Sequence, residues 1–329
     1  MSTSLTYAEA IRSAYRYLLA NYPSVFTIGQ GLWSPWYVGS SMTDLDKEFG
    51  RERVIDCPVS EAATTGMSVG VSLFGYRPII VHPRMDFMLL ATDQIVNQAA
   101  KWRHMLGGRP GPAVVIRAII NRGGEQGAQH SQALHAWYSH IPGLRVVMPA
   151  SALDARDLLV ASTLCDDPVI YIDDRWLYEL SEEDKPLAEI DLRTQGPRVV
   201  RDGSDITIAG AGYSVHLALE AAKALAAKKI SAEVVDVRIL NPFDPAPIVS
   251  SVKKTGRLLA VDGGWSTCGF AAEILASTAE RLNPDDWRAS ARRITIADAP
   301  APSTRSLEAI YYPTVDTLVK TAVDMAGAR

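Results

Sequence analysis

One glutamate stands where acid–base chemistry could be done. Glu61 lies in the segment D-C-P-V-S-E-A-A-T-T-G-M-S-V-G, residues 56–70. A strand ends at Asp56, Pro58 breaks it, Ser60 is of the type that caps a helix, and Glu61 falls at the first helical position. A carboxylate there has two readings. It interacts favourably with the helix dipole, as any acidic first-turn residue does, or it meets a ligand at the edge where the strand ends. Gly66 and Gly70 lie one turn apart and would let another backbone approach the same face, in plain packing as readily as in binding.

Two further segments concentrate polar groups. In I-V-H-P-R-M-D-F-M-L-L-A-T-D-Q-I-V-N-Q-A-A-K, residues 80–101, a strand leads into a loop carrying His82, Arg84, Asp86 and Phe87. A helix then opens near Thr92 with Asp93, Gln94, Asn97 and Gln98 at its start, facing either a ligand, a subunit or solvent. In R-A-I-I-N-R-G-G-E-Q-G-A-Q-H-S-Q, residues 117–132, a Gly-bearing loop joins a buried strand to a helix. That is where α/β folds place ligand chemistry, at the carboxyl ends of strands. His130 precedes Ser131, expected to cap that helix, so its imidazole projects at the edge as an acid, base or charge stabiliser, or serves only in packing. Neither G-x-x-x-x-G-K-[ST] nor G-x-G-x-x-G occurs, so these glycines are no phosphate signature.

The elements that must position these residues alternate along the chain. Strands are expected at 25–29, 53–56, 78–81, 113–118, 145–148 and 169–172, with helices at 8–20, 61–74, 92–105, 131–140 and 152–164. Continuously apolar strands alternating with helices argue a parallel sheet covered on both faces. From 179 the pattern dissolves into charged, Pro-containing sequence, which reads as a linker over 181–203. Alternation resumes in a smaller α/β domain with strands at 205–209, 232–237, 258–261 and 294–296 and helices at 215–228 and after Gly269. The expected organisation is therefore two α/β domains with parallel or mixed sheets, 1–180 and 204–329.

Composition sets the outer limits. The chain has 329 residues, 47% hydrophobic and 21% charged, with 33 basic residues against 37 acidic ones. No electrostatic footprint for nucleic acid or an acidic membrane is visible, and a small-molecule substrate is expected. Cys57, Cys165 and Cys268 are scattered, with no C-x-x-C pair and no zinc spacing, which reads as a reduced, cytoplasmic protein. Glu9, Arg12 and Arg16 interrupt the first apolar segment, so no signal-peptide core is read there, and no stretch is long enough to cross a bilayer.

Taken together, the segments resemble the thiamine-diphosphate enzymes, and most closely the beta subunit of the decarboxylating component of 2-oxo acid dehydrogenases. The resemblance runs through P-V-S-E, D-Q-I-V-N-Q-A-A-K at 93–101, Q-H-S-Q at 129–132 and A-W-Y-S-H-I-P-G-L-R-V-V-M-P at 136–149. It continues through V-V-D-V-R-I-L-N-P-F-D at 234–244, G-W-S-T-C-G-F-A-A-E-I at 264–274 and L-E-A-I-Y-Y-P-T at 307–314. It implies a pyrimidine-binding fold followed by a transketolase C-terminal-type fold. It also implies that Glu61 hydrogen-bonds a ring nitrogen of the cofactor's aminopyrimidine, favouring the imino tautomer that removes the thiazolium C2 proton. A carboxyl in an apolar pocket suits that task, since burial disfavours its charged form. His130 would lie near the reacting carbonyl, and Phe87, Leu90 and Gln94 would help hold the cofactor.

The resemblance also implies what is missing. Relatives hold the diphosphate through a divalent metal, Mg2+, on a G-D-G motif followed later by Asn, and no G-D-G occurs here. Half the site is therefore expected from an alpha-type subunit, in an α2β2 assembly that could join a dihydrolipoyl acyltransferase core. Relatives also carry a potassium site in the region of Asp166 and Asp167, which suggests K+ there. Arg84 and Leu90 stand where aromatic residues are usual, and Arg122 is an added cation in the loop before His130. The two arginines would either recognise a substrate carboxylate or phosphate, or Arg122 would pair with Glu125 at the surface while Arg84 meets another subunit. Three functions follow: decarboxylation of a pyruvate-like 2-oxo acid with acyl transfer to a lipoyl carrier, the C-terminal half of a split transketolase moving a two-carbon ketol unit, or a non-catalytic docking subunit.

Overall fold

Thr6 starts the first helix with a reciprocal cap. Its hydroxyl accepts from the Glu9 backbone N–H at 3.3 Å, and the Glu9 carboxylate accepts from the Thr6 N–H at 3.0 Å. These bonds, the backbone one first, hold the Glu9 carboxyl below its ordinary range. The computed structural model describes residues 4–327. Contacts divide the chain into two units: one runs through Arg122 and resumes over His130–Gln195, and the other takes Gly123–Gln129 and the chain from Gly196 onward.

In the first unit the elements are β1 (Ser4–Thr6), α1 (Tyr7–Asn21), β2 (Val25–Gly29), α2 (Leu45–Phe49), β3 (Val54–Asp56), α3 (Glu61–Ser72) and β4 (Arg77–His82). A 3-10 helix (Met85–Ala91), a π-helical run (Gln94–Ala99), α4 (Trp102–Met105) and β5 (Val115–Ile120) come next. They are followed by α5 (His135–Ser139), β6 (Arg145–Val147), α6 (Ala152–Leu164), β7 (Val169–Asp174) and β8 (Ser181–Glu183). Six strands run parallel in the order β6-β7-β5-β4-β2-β3. Every residue of β5 and β7 is buried, as expected of a sheet covered on both faces. Helix α1 packs along α6, α6 against β7, and α3 against β4.

The buried strands carry charge at their centre. Arg117 of β5 is fully buried and donates to Asp173 of β7 at 3.2 and 2.8 Å, to Ser41 Oγ at 2.9 Å and to the Tyr178 hydroxyl at 3.0 Å. Burial alone would push the guanidinium pKa down; Asp173, then Tyr178 and Tyr15, outweigh it and hold the group above its ordinary value. A charge inside an apolar sheet is thus accommodated by an opposite charge on the neighbouring strand.

The segment expected as a linker carries structure. β8 pairs antiparallel with β1, and β9 (Arg198–Arg201) joins the second unit's sheet. That unit continues with β10 (Ile206–Gly210), α7 (Tyr213–Ala227), β11 (Ala232–Asp236), β12 (Ile239–Asn241), α8 (Ala246–Thr255) and β13 (Leu258–Val261). It ends with α9 (Phe270–Ala279), β14 (Arg292–Ile294), α10 (Arg305–Tyr311) and α11 (Val315–Gly327). Its sheet has the order β14-β13-β10-β11-β9, parallel except for β9. Both units are α/β, the first with a parallel main sheet beside the antiparallel β1–β8 pair and the second with a mixed sheet.

Candidate active site

Because β2, β3 and β4 are parallel neighbours, their carboxyl ends share one edge, and a cavity of about 230 Å³ opens there. Its wall takes Gly29 and Gln30 after β2, Cys57 to Glu61 after β3, and Val81 to Arg84 with Phe87 and Leu90 after β4. Gly29 is required by close approach: a Cβ there would stand 2.6 Å from the Val81 carbonyl oxygen.

Glu61 is the first residue of α3, as expected, but Ser60 does not cap that helix through its side chain. The Ser60 carbonyl instead accepts from Thr64 N and Thr64 Oγ1, both at 3.0 Å. Glu61 is only partly buried, and Val59 and Leu90 beside it are 66% and 62% exposed, so the apolar rim of the cavity is open in this chain.

The 3-10 helix explains how Arg84, Phe87 and Leu90 come together. At three residues per turn, side chains at i and i+3 eclipse. Arg84 at its N-cap, Phe87 and Leu90 therefore form one row along the cavity, while Met85, Met88 and Ala91 form a second row in the core. The sequence reading expected a loop here and one helix over 92–105; the structure has the 3-10 turn, the π-helical run and the short α4 instead. Burial, and then the like charge of Arg175, push the Arg84 pKa down, and its Nη1 donates to the Pro83 carbonyl at 2.9 Å.

His130 meets this site through Phe87, with ring centroids 5.2 Å apart and planes at 84°. Ser131 does not cap a helix: it is buried, and α5 starts only at His135. Gln94 stands apart from the row, with its Cγ over Gly66, where a Cβ would come within 3.3 Å. Of its polar neighbours, Asn97 donates to Asp93 at 2.7 Å, and both are exposed.

Three expectations are corrected. Arg122 is not at the surface: it is buried, ion-paired with Asp174 at the end of β7, and lies 5.2 Å from the Trp176 ring centroid. Its charge anchors the root of the loop to β7, so neither the Glu125 pair nor an open anion-binding role describes it. Asp166 and Asp167 do not suit a potassium ion. Arg77 donates to Asp166 Oδ1 at 2.6 Å and to the carbonyls of Thr163 and Cys165 at 3.1 and 2.9 Å. Arg103 takes the Asp166 carbonyl at 2.9 Å and Asp167 Oδ1 at 3.0 Å, and Arg145 takes Asp167 Oδ2 at 2.7 Å. Guanidinium groups already occupy Asp166 Oδ1, both carboxylate oxygens of Asp167 and three neighbouring carbonyls. Among the described residues no group of three or more His, Cys, Asp or Glu could hold a metal.

Sequence reasoning assigned no role to His82, the last residue of β4. It is 2% exposed, lines the cavity, and its Nε2 lies 3.2 Å from Thr65 Oγ1 on α3. Burial pushes its pKa down to about 4, so the ring is neutral at pH 7. A histidine ending an apolar strand was the available signal.

The residues present fit an aminopyrimidine. They offer a flat aromatic side chain, apolar walls from Val59, Val81 and Leu90, and one carboxylate that can meet a ring nitrogen. The comparisons agree with this geometry. Residues 3–179 match the model for the transketolase pyrimidine binding domain, and residues 197–318 that for the transketolase C-terminal domain. The beta-2 subunit of the mitochondrial pyruvate dehydrogenase E1 component of Oryza sativa is 38% identical over 97% of this chain and 85% of its own length. The beta subunit of acetoin:2,6-dichlorophenolindophenol oxidoreductase of Cupriavidus necator is 35% identical over 98% of this chain and 97% of its own. A solved structure, a split gene transketolase described as an inactive beta4 tetramer, superposes with a TM-score of 0.81 at 22% identity, covering 98% of this chain and 99% of that one. That likeness shows the fold. The chain belongs to the family of transketolase-type beta subunits found in the decarboxylating component of 2-oxo acid dehydrogenases.

Proposed function

We propose that this chain is the beta subunit of a thiamine-diphosphate-dependent enzyme that decarboxylates a pyruvate-like 2-oxo acid and passes the acyl unit to a lipoyl carrier. The observation that carries the reading is Glu61 in the wall of an apolar, half-open cavity beside Phe87. When bound, thiamine diphosphate would supply a carbon nucleophile and an electron sink for decarboxylation. Glu61 would hold a proton at its carboxylate against the ring nitrogen. Phe87 would orient the ring, and Val59, Val81 and Leu90 would exclude water. His130 would move a proton at its imidazole near the substrate carbonyl, and Arg84 would bind an anionic group of the substrate.

The exposed rim at Val59 and Leu90 supports an obligatory partner. On α3, Met67 is 59% exposed and Phe74, just beyond its end, 85%, so this face too is available to a second chain. An alpha-type subunit would bring the G-D-G motif, the diphosphate site and Mg2+ in an α2β2 assembly, with a dihydrolipoyl acyltransferase core as the acyl acceptor. We place the protein in the cytoplasm; its three cysteines are free, and no described helix is long and apolar enough to cross a membrane.

Arg84 in the cavity wall favours one second reading, a split transketolase acting on a phosphorylated ketose. A purely docking role would leave Glu61 only its interaction with the α3 helix dipole. The test is reconstitution with the alpha-type subunit, followed by assay of 2-oxo acids with an artificial electron acceptor and of ketose phosphates. Carbon dioxide release from a 2-oxo acid supports the first reading, and turnover of ketose phosphates alone overturns it.

A further inference from the structure

The 3-10 helix after β4 has a third row. Between the cavity row and the core row lies Asp86, 5% exposed. Its Oδ1 accepts from the backbone N–H of Gln132 at 3.1 Å and from Gln132 Nε2 at 2.9 Å. Its Oδ2 is equally buried and has no hydrogen-bond partner among the described residues. Gln132 is two residues beyond His130, and Phe87, the neighbour of Asp86, meets the His130 ring edge-on. Adjacent residues thus hold the same short segment, one by charge and hydrogen bonds and the other by ring contact.

A buried carboxylate oxygen without a partner is stable only where a nearby positive charge or a proton compensates it. Ionisable groups on the elements packed against this helix are Glu61 on α3, Arg77 and His82 on β4 and Arg117 on β5, with Arg84 at the N-cap of the helix itself. Arg117 is committed to Asp173, Arg77 to Asp166, and His82 is neutral, which leaves Arg84, whose charge Asp86 supports, together with His130. We propose that Asp86 is a positioning residue for His130: it fixes the histidine segment through Gln132 and favours the protonated imidazole when a proton is moved. The electrostatics agree, since burial raises the Asp86 pKa while Gln132 and the His130 charge draw it down. This role rests on the reading of His130 as a proton-moving group.

Two measurements test it. In the chain alone, the Asp86 carboxyl carbon is followed by NMR against pH in wild type and in His130→Gln. Its midpoint is expected to rise without the histidine, and an unmoved midpoint overturns the coupling. In the reconstituted pair, Asp86→Asn keeps an oxygen for Gln132 and loses the charge. Its kcat is expected to fall about tenfold with little change in KM, and the basic limb of the pH profile to move down. Gln132→Leu, which loosens the segment and keeps the charge, should lower kcat with that limb in place. An Asp86→Asn pair whose limb lies where the wild type's does overturns the proposal. A pair inactive on every substrate would count against the proposed function alone, and the NMR titration would still decide the Asp86–His130 coupling.

Discussion

Asp173→Ala should be among the most damaging single substitutions in the first unit. The Asp173 carboxylate takes two donors from Arg117 and the Tyr178 hydroxyl, and both charged side chains are fully buried. Removing it leaves a guanidinium inside the sheet with Ser41 and Tyr178 as its remaining side-chain partners. Breaking a buried pair in this way costs about 3–5 kcal/mol, because the surviving charge stays desolvated. For a unit of this size that lowers Tm by about 6–20 °C. The assay is calorimetry on wild type, Asp173→Ala, Arg117→Met and the double variant. The double variant should recover much of the loss, since an apolar pair needs no compensation. A loss below about 1 kcal/mol in Asp173→Ala, or a double variant no better than the worse single one, would refute the reasoning.

Further outcomes follow from other groups. His82 is neutral in the fold with a pKa of about 4, against an ordinary 6.5. As pH falls below about 6.5 the unfolded chain gains a proton that the fold refuses, so stability drops by about 3 kcal/mol on the way to pH 4. Denaturant titrations at pH 7 and pH 4.5 should show this drop, and His82→Phe should flatten it. Thr6→Ala removes the α1 cap and should cost about 1 kcal/mol by the same titration. Exchanging potassium for sodium should leave Tm unchanged, because Arg77, Arg103 and Arg145 occupy the oxygens around Asp166 and Asp167. Arg84→Met in the reconstituted pair should raise KM for an anionic substrate by about tenfold or more, read from steady-state kinetics.

How far the fold was legible depended on what decided each element. Local pattern was enough for α6, found at 152–164 as expected, and for the strands at 25–29 and 258–261. It failed where a tertiary partner decides. Arg117 lies in the strand expected at 113–118, but only Asp173 on the next strand explains how the whole of β5 can be buried. The charged stretch after 179 showed no sustained period, because β8 and β9 are short edge strands stabilised by their pairing with β1 and β11. Within the site, the spacing of 84, 87 and 90 was visible, but only the 3-10 geometry turns that spacing into a row. Arg122 read as a partner for a substrate anion or for Glu125 because Asp174 lies 52 residues away in sequence.

The central claim is that this chain carries the catalytic glutamate of a site completed by another subunit. The most direct measurement is carbon dioxide release from a 2-oxo acid by the chain alone, by the chain with its alpha-type partner, and by a Glu61→Gln pair. The account predicts no turnover alone, turnover in the wild-type pair, and a Glu61→Gln pair that assembles normally but loses about 10²–10⁴-fold in rate. A Glu61→Gln pair as fast as wild type would contradict it.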